Sequence, residues 1–127
     1  MAHAEAFGDD GLKQATGTPG IRRRVAFEAS DGYWFGHVET EPNMQSGWHH
    51  HGEMTTFGRV VEGTLFVEFG PGGKQRIEAG PGDWFRIPAG MIHREGTVGD
   101  IPGSLTLGRV GGGQPVFPVD GPEPEAS

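Results

Sequence analysis

The chain has 127 residues, ten basic and seventeen acidic side chains, a formal net charge of −7, and no cysteine. That length supports one domain with a small core. The missing cysteine excludes disulfides, zinc ribbons, iron–sulfur clusters and thiol nucleophiles, so any metal must be held by histidine or carboxylate. The acidic balance makes nucleic acid a poor partner. No apolar run approaches the ~20 residues of a membrane span. The N-terminus MAHAEAFGDDGLK lacks the charged and apolar regions of a signal peptide, so the expectation is a cytoplasmic protein.

Residues 1–20 are small, polar and aperiodic, and read as a flexible N-terminal arm. A first strand is expected over 21–29. Its triplet Arg22-Arg23-Arg24 reads as a solvated strand start or a charged edge that blocks aggregation, in preference to a binding patch. Asp31-Gly32 turns the chain into a second strand over 33–40, which Pro42 and Asn43 end. Further strands are expected over 54–61 and 64–69, joined at Glu62-Gly63, then over 74–79, 84–87, 91–95 and 104–110. Gly70-Pro71-Gly72-Gly73, Gly80-Pro81-Gly82-Asp83 and Pro88-Ala89-Gly90 supply the breaks between them. Residues 120–127 form a C-terminal tail, before which 116–119 (VFPV) docks on the body or on a partner.

Glycine (24) and proline (10) thus punctuate short β-branched and aromatic segments, and no window keeps helical apolar spacing for three turns. Eight or nine short strands without intervening helices mean an all-β sandwich or barrel spanning 21–119. Parallel α/β folds are excluded, because their crossovers need about a dozen residues or more. Trp34, Trp48, Trp84, Phe35, Phe57, Phe66 and Phe85 are the expected core aromatics. His37, which shares a strand face with Tyr33 and Phe35, is either a pocket-lining or a surface residue.

Chemistry concentrates in Gly47-Trp48-His49-His50-His51-Gly52-Glu53. Strand alternation turns His49 and His51 to one face and His50 to the other. Two imidazoles so placed can bind one ion, and His93, after Pro88-Ala89-Gly90, is the best candidate for a third ligand. Three histidines leave open positions for water, dioxygen or substrate, which marks a reactive site rather than a structural one. A carboxylate from Glu53 reaches inward if the chain breaks strand parity after residue 53, and faces solvent if the break is at Gly52. Glu95 shares the parity of His93, and reads as a base or partner for the histidines or as a solvated strand-end carboxylate.

These residues resemble the cupin superfamily. Its first motif, G-x5-H-x-H-x(3,4)-E-x6-G, is met by His49, His51 and Gly63; its second, G-x5-P-x-G-x2-H-x3-N, is met by Gly82, Pro88, Gly90 and His93. Three positions depart from the pattern: Asn43 stands for the leading glycine, Thr56 for the glutamate ligand, and Thr97 for the asparagine. The resemblance implies a single-domain jelly-roll β-barrel. It further implies a divalent ion (Fe, Mn, Ni or Zn) on His49, His51 and His93 without the carboxylate, a small-molecule ligand or substrate, and a homodimer. A metal left with its full charge favours an anionic, chelating substrate. The functions in view are a metalloenzyme of dioxygenase or isomerase type, or a non-catalytic ligand-binding cupin with a degenerate site. A transcriptional regulator would need a DNA-reading helix, and none is visible.

Overall fold

The structure, a computed structural model, describes residues 3–15, 18–113 and 116–123. The expected arm and tail therefore fall partly outside the described residues. Helical structure among those described is limited to two 3-10 turns, Asp9–Gly11 and Pro71–Gly73. None of their helices is long and apolar enough to cross a membrane.

Among the described residues, glycine and proline cut the chain into eleven strands. They are β1 (Lys13–Gln14), β2 (Ile21–Ala29), β3 (Tyr33–Thr40), β4 (His49–His50), β5 (Thr55–Glu62), β6 (Leu65–Phe69), β7 (Gln75–Ala79), β8 (Trp84–Ile87), β9 (His93–Thr97), β10 (Gly103–Val110) and β11 (Phe117–Pro118). Gly63, Gly82 and Gly90 adopt φ values of 76°, 86° and 75°, the left-handed region that glycine enters without steric cost. At Gly63 the space is closed as well, since an added Cβ would lie 2.5 Å from the Pro102 carbonyl oxygen.

The strands form two antiparallel sheets, ordered β1-β2-β3-β10-β5-β8 and β11-β4-β9-β6-β7. They face each other as a jelly-roll sandwich and do not close into one continuous barrel. Residues 116–119 dock on the body, through pairing of β11 with β4.

The core between the sheets is aliphatic: Ile21, Val38, Met44, Val60, Leu65, Leu105 and Leu107 are buried, with Trp34 and Phe85 packed against them. The expected aromatic core is met in part, since Phe66 is also buried, and corrected at three positions. Phe35, Phe57 and Trp84 are 42%, 43% and 76% exposed, because strand parity sends them to the outer face of the six-stranded sheet. Glycines let rings lie flat on that sheet. Phe35 covers Gly108 outside, and Phe85 covers Gly58 inside. His37 also faces outward, 3.2 Å from the Ser104 hydroxyl, so it is a surface residue.

Two departures from the cupin pattern have local explanations. Asn43 has φ 55°, the left-handed conformation a glycine would supply, and asparagine tolerates it better than other side chains do. Its Nδ2 donates to Asp100 Oδ1 at 2.9 Å, which fixes the turn. The Thr97 hydroxyl donates to the Thr40 hydroxyl at 2.8 Å inside the fold.

Candidate metal centre

His49 and His93 are direct cross-strand partners in the β4–β9 pair, with ring centroids 4.3 Å apart. Side chains opposite each other on antiparallel strands share a face, so the pairing itself brings the two imidazoles together. His51 follows β4 by one residue, and its ring lies 5.0 Å from each of the others. Their ligand atoms all fall within 4.8 Å of one another, and the residues are 8%, 2% and 0% exposed. No other cluster of this kind occurs among the described residues. His50 turns away as alternation requires. It stacks on Phe117 at 4.8 Å and accepts the Gly52 N–H through Nδ1.

Local backbone sets the ring chemistry. His49 Nδ1 lies 2.8 Å from the Gly47 carbonyl oxygen, and His93 Nδ1 lies 2.9 Å from that of Met91. A carbonyl only accepts, so each Nδ1 carries its proton and donates, leaving the Nε2 lone pair free. Burial pulls the His49 pKa below its ordinary value, against the opposing pull of Glu95, which favours the neutral imidazole that a metal needs.

Glu95 lies inside the fold and lines the interior cavity, so it is not a solvated carboxylate. Its Oε2 is 3.3 Å from His93 Nε2 and its Oε1 is 3.6 Å from His49 Nε2. Its backbone N–H donates to the Ser46 hydroxyl at 3.0 Å, which anchors the strand there. Burial pushes its carboxyl up, but the imidazoles around it, His93 foremost and then His49 and His51, outweigh this and bring it to about 2. It is therefore ionised at neutral pH.

The fit to a metal ion can be tested on one atom. His93 Nε2 is fully buried and has no hydrogen-bond partner. With its proton on Nδ1, its lone pair confronts a carboxylate that offers only lone pairs. A cation, either a proton or a metal ion, must sit between two such acceptors. The residues present fit an ion held by three imidazole nitrogens beside one carboxylate.

Gly52 has φ 60°, and the Met54 N–H donates to the His51 carbonyl. The strand parity thus breaks at Gly52, Glu53 is exposed, and the reading that brought it inward is overturned. Thr56 is 2% exposed and faces inward, with its hydroxyl oxygen unpartnered.

Arg23, read from sequence as part of a solvated triplet, and Arg109, not singled out there, both turn inward. Arg23 and Arg109 line the same enclosed cavity, of about 30 Å³, as His51, Thr56 and Glu95. Both also line an open cleft of about 440 Å³ with Glu28, Tyr33, Trp34 and Met54. Arg109 is 7% exposed, and its Nε has no partner. Burial lowers its pKa to about 10, and Arg23 pushes the same way while Glu95 opposes. The signal was available: in a strand, Arg23 must face opposite Arg22 and Arg24, and Arg109 must share the face of Leu105 and Leu107. A larger groove of about 680 Å³, lined by Gly20, Glu41, Glu62 and Pro102 among others, contains none of the histidines.

A jelly roll with a histidine cluster between its sheets defines a cupin-type β domain. The cupin domain family matches residues 36–107, more than half of the chain, and the chain belongs to that family. No curated protein matches it. Among solved structures, the polyketide cyclase RemF from Streptomyces resistomycificus is 21% identical, with TM-score 0.74 over 92% of this chain and 86% of that one. KdgF from Halomonas sp. is 20% identical, with TM-score 0.67 over 84% of this chain and 94% of that one. An oxalate oxidase in complex with the substrate analogue glycolate is 25% identical, with TM-score 0.60 over 69% of this chain and 46% of that one.

Proposed function

We propose that this protein is a metal-dependent enzyme that acts on a small molecule, with Fe(II), Mn(II), Ni(II) or Zn(II) held by His49, His51 and His93. The carrying observation is the buried, partnerless Nε2 of His93, facing two other imidazoles and an ionised Glu95. A bound ion would supply Lewis acidity or dioxygen activation, and dioxygenase chemistry is the preferred class, with isomerase chemistry next. The chain's own residues have separate tasks. Gly47 and Met91 orient two rings through their carbonyls, and Glu95 supplies the carboxylate that Thr56 cannot. Ile21, Val38, Leu65 and Leu105 supply the aliphatic part of the cavity wall. Structural neighbours that include a polyketide cyclase and an oxalate oxidase are consistent with catalysis in this fold.

The test is thermal melting of chelator-stripped protein reloaded with each ion, with nitric oxide added to the Fe(II) form. Metal-dependent stabilisation, together with an Fe(II)–nitrosyl EPR signal that is lost in His51→Ala, is the expected result. Stabilisation without a nitrosyl signal leaves a closed site and removes the dioxygenase reading. The second reading, a non-catalytic ligand-binding cupin, is favoured by Thr56, whose hydroxyl is a poor ligand where the family carries glutamate. It predicts no metal-dependent stabilisation.

A homodimer belongs to the same proposal. Phe27, Phe35, Phe57 and Trp84 are exposed on the outer face of the six-stranded sheet, an apolar face that a second copy would cover. Light scattering of wild type and Phe57→Lys tests it, with a dimer expected only for the former.

A further inference from the structure

The arginine triplet on β2 divides by strand face. Arg22 and Arg24 both pair with Glu39 on the outer face. Arg23 turns inward, and among the described residues its guanidinium donates to the Thr18 hydroxyl, at 3.3 Å. Arg109 reaches the same space from β10, with Trp34 beneath its guanidinium at 5.8 Å and no ion pair among the described residues. Both side chains line the wall shared by the enclosed cavity and the open cleft.

Buried cations are normally neutralised by a protein acid, because an uncompensated charge taken out of water is costly. Here the interior holds the buried Arg109 guanidinium with the half-buried Arg23 beside it, and the one carboxylate among the described residues lining the enclosed cavity, Glu95, already faces His49 and His93. The β5–β10 register sets Thr56 directly opposite Arg109. An acid at position 56 would have neutralised that guanidinium, whereas threonine leaves it available. Two like charges held side by side point to a missing anion.

We infer that Arg23 and Arg109 form an anion clamp that takes a carboxylate-bearing small molecule entering through the cleft, with its acidic end turned toward the histidine cluster. Guanidinium forks match carboxylate geometry in two-point contact. The volumes fix the orientation. The enclosed cavity holds little more than one small group, whereas the cleft, at about 440 Å³, has the size of a small-molecule site. The ligand body therefore rests in the cleft, and only the carboxylate passes inward. Arg109 and Arg23 bind and position; they are not metal ligands.

That the anion is a substrate rests on the metal-enzyme reading above, but the clamp itself can be tested without metal. The experiment is calorimetric titration of malonate, with malonamide as its uncharged counterpart, into the protein as purified and after chelation. The clamp predicts that malonate binds in both states and malonamide in neither. Arg23→Gln and Arg109→Gln should each weaken malonate by about thirtyfold or more. Thr56→Glu should weaken it similarly, by pairing with Arg109, and this variant keeps the test decisive if Arg109→Gln fails to fold. Malonate binding unchanged in these variants, equal binding of malonamide, or no malonate binding to folded wild type overturns the clamp. Protein that carries no metal yet binds malonate through both arginines removes the enzyme reading and leaves the clamp standing.

Discussion

The two faces of this sandwich treat charge in opposite ways. On the outer face of the five-stranded sheet, Arg94 donates to Glu68 at 2.7 Å, Arg76 bridges Glu68 and Glu78, and the two guanidiniums lie over Trp48 and Phe66. Every cation there has an anion and an aromatic surface. Inside, one residue away along β9, His93 and Glu95 face each other at 3.3 Å, and Arg109 makes no ion pair among the described residues. Exposed pairs cost little to form and contribute little. Interior groups lack solvent, so an interior left uncompensated is incomplete without something bound. The difference separates a surface whose charges are mutually satisfied from an interior whose charges are not.

The contrast can be sharpened by removing groups in turn. Stability should come mainly from the aliphatic core: Ile87, 1% exposed, is expected to cost about 2–5 kcal/mol on truncation to alanine, measured by denaturant unfolding. Glu95→Gln should leave folding intact and weaken metal binding by about 10–100-fold, read by competition with a chelating dye. The sign of two arginine replacements should differ. Arg109→Met, which removes an unpaired buried charge at similar volume, is expected to leave stability unchanged or raise it by up to about 4 kcal/mol. Arg94→Met, which breaks a satisfied pair, should lower it by about 1 kcal/mol or less. Destabilisation by both would erase the contrast between the faces.

The smallest effect concerns pH. The hydrogen bond and charge of Arg94, aided by Arg76, hold the Glu68 carboxyl below its ordinary value. The folded state then binds fewer protons than the unfolded one. Glu68 therefore adds stability that is complete above the unfolded value of about 4.3 and fades as pH falls through the depressed one. Acid unfolding of Glu68→Gln should show a shallower loss in that window, by less than about 1 kcal/mol.

The strands were legible because glycine and proline mark their ends, and β2, β3 and β8 begin and end where the sequence places them. The three histidines were legible from alternation and from the spacing of two motifs. The aromatic core was misread at Phe35, Phe57 and Trp84, because bulk alone does not say which face a ring takes. Phe35 and Phe57 needed the parity of β3 and β5, read with Gly108 between them in the paired strands. The inward turn of Arg23 was hidden in a triplet that looks uniformly solvated. The role of Glu95 rests on long-range pairing, since nothing local says that β9 lies against β4. For Glu53 one glycine decided the outcome, because Gly52 takes up the parity break itself.

The central claim is that His49, His51 and His93 hold one metal ion. It is tested most directly by elemental analysis of gently purified wild type, His49→Ala and His93→Ala, with folding of each checked by circular dichroism. The account predicts about one equivalent of a transition metal in wild type, falling to a small residue in both variants. Undiminished metal in both folded variants, or none in wild type even after reloading, would contradict it.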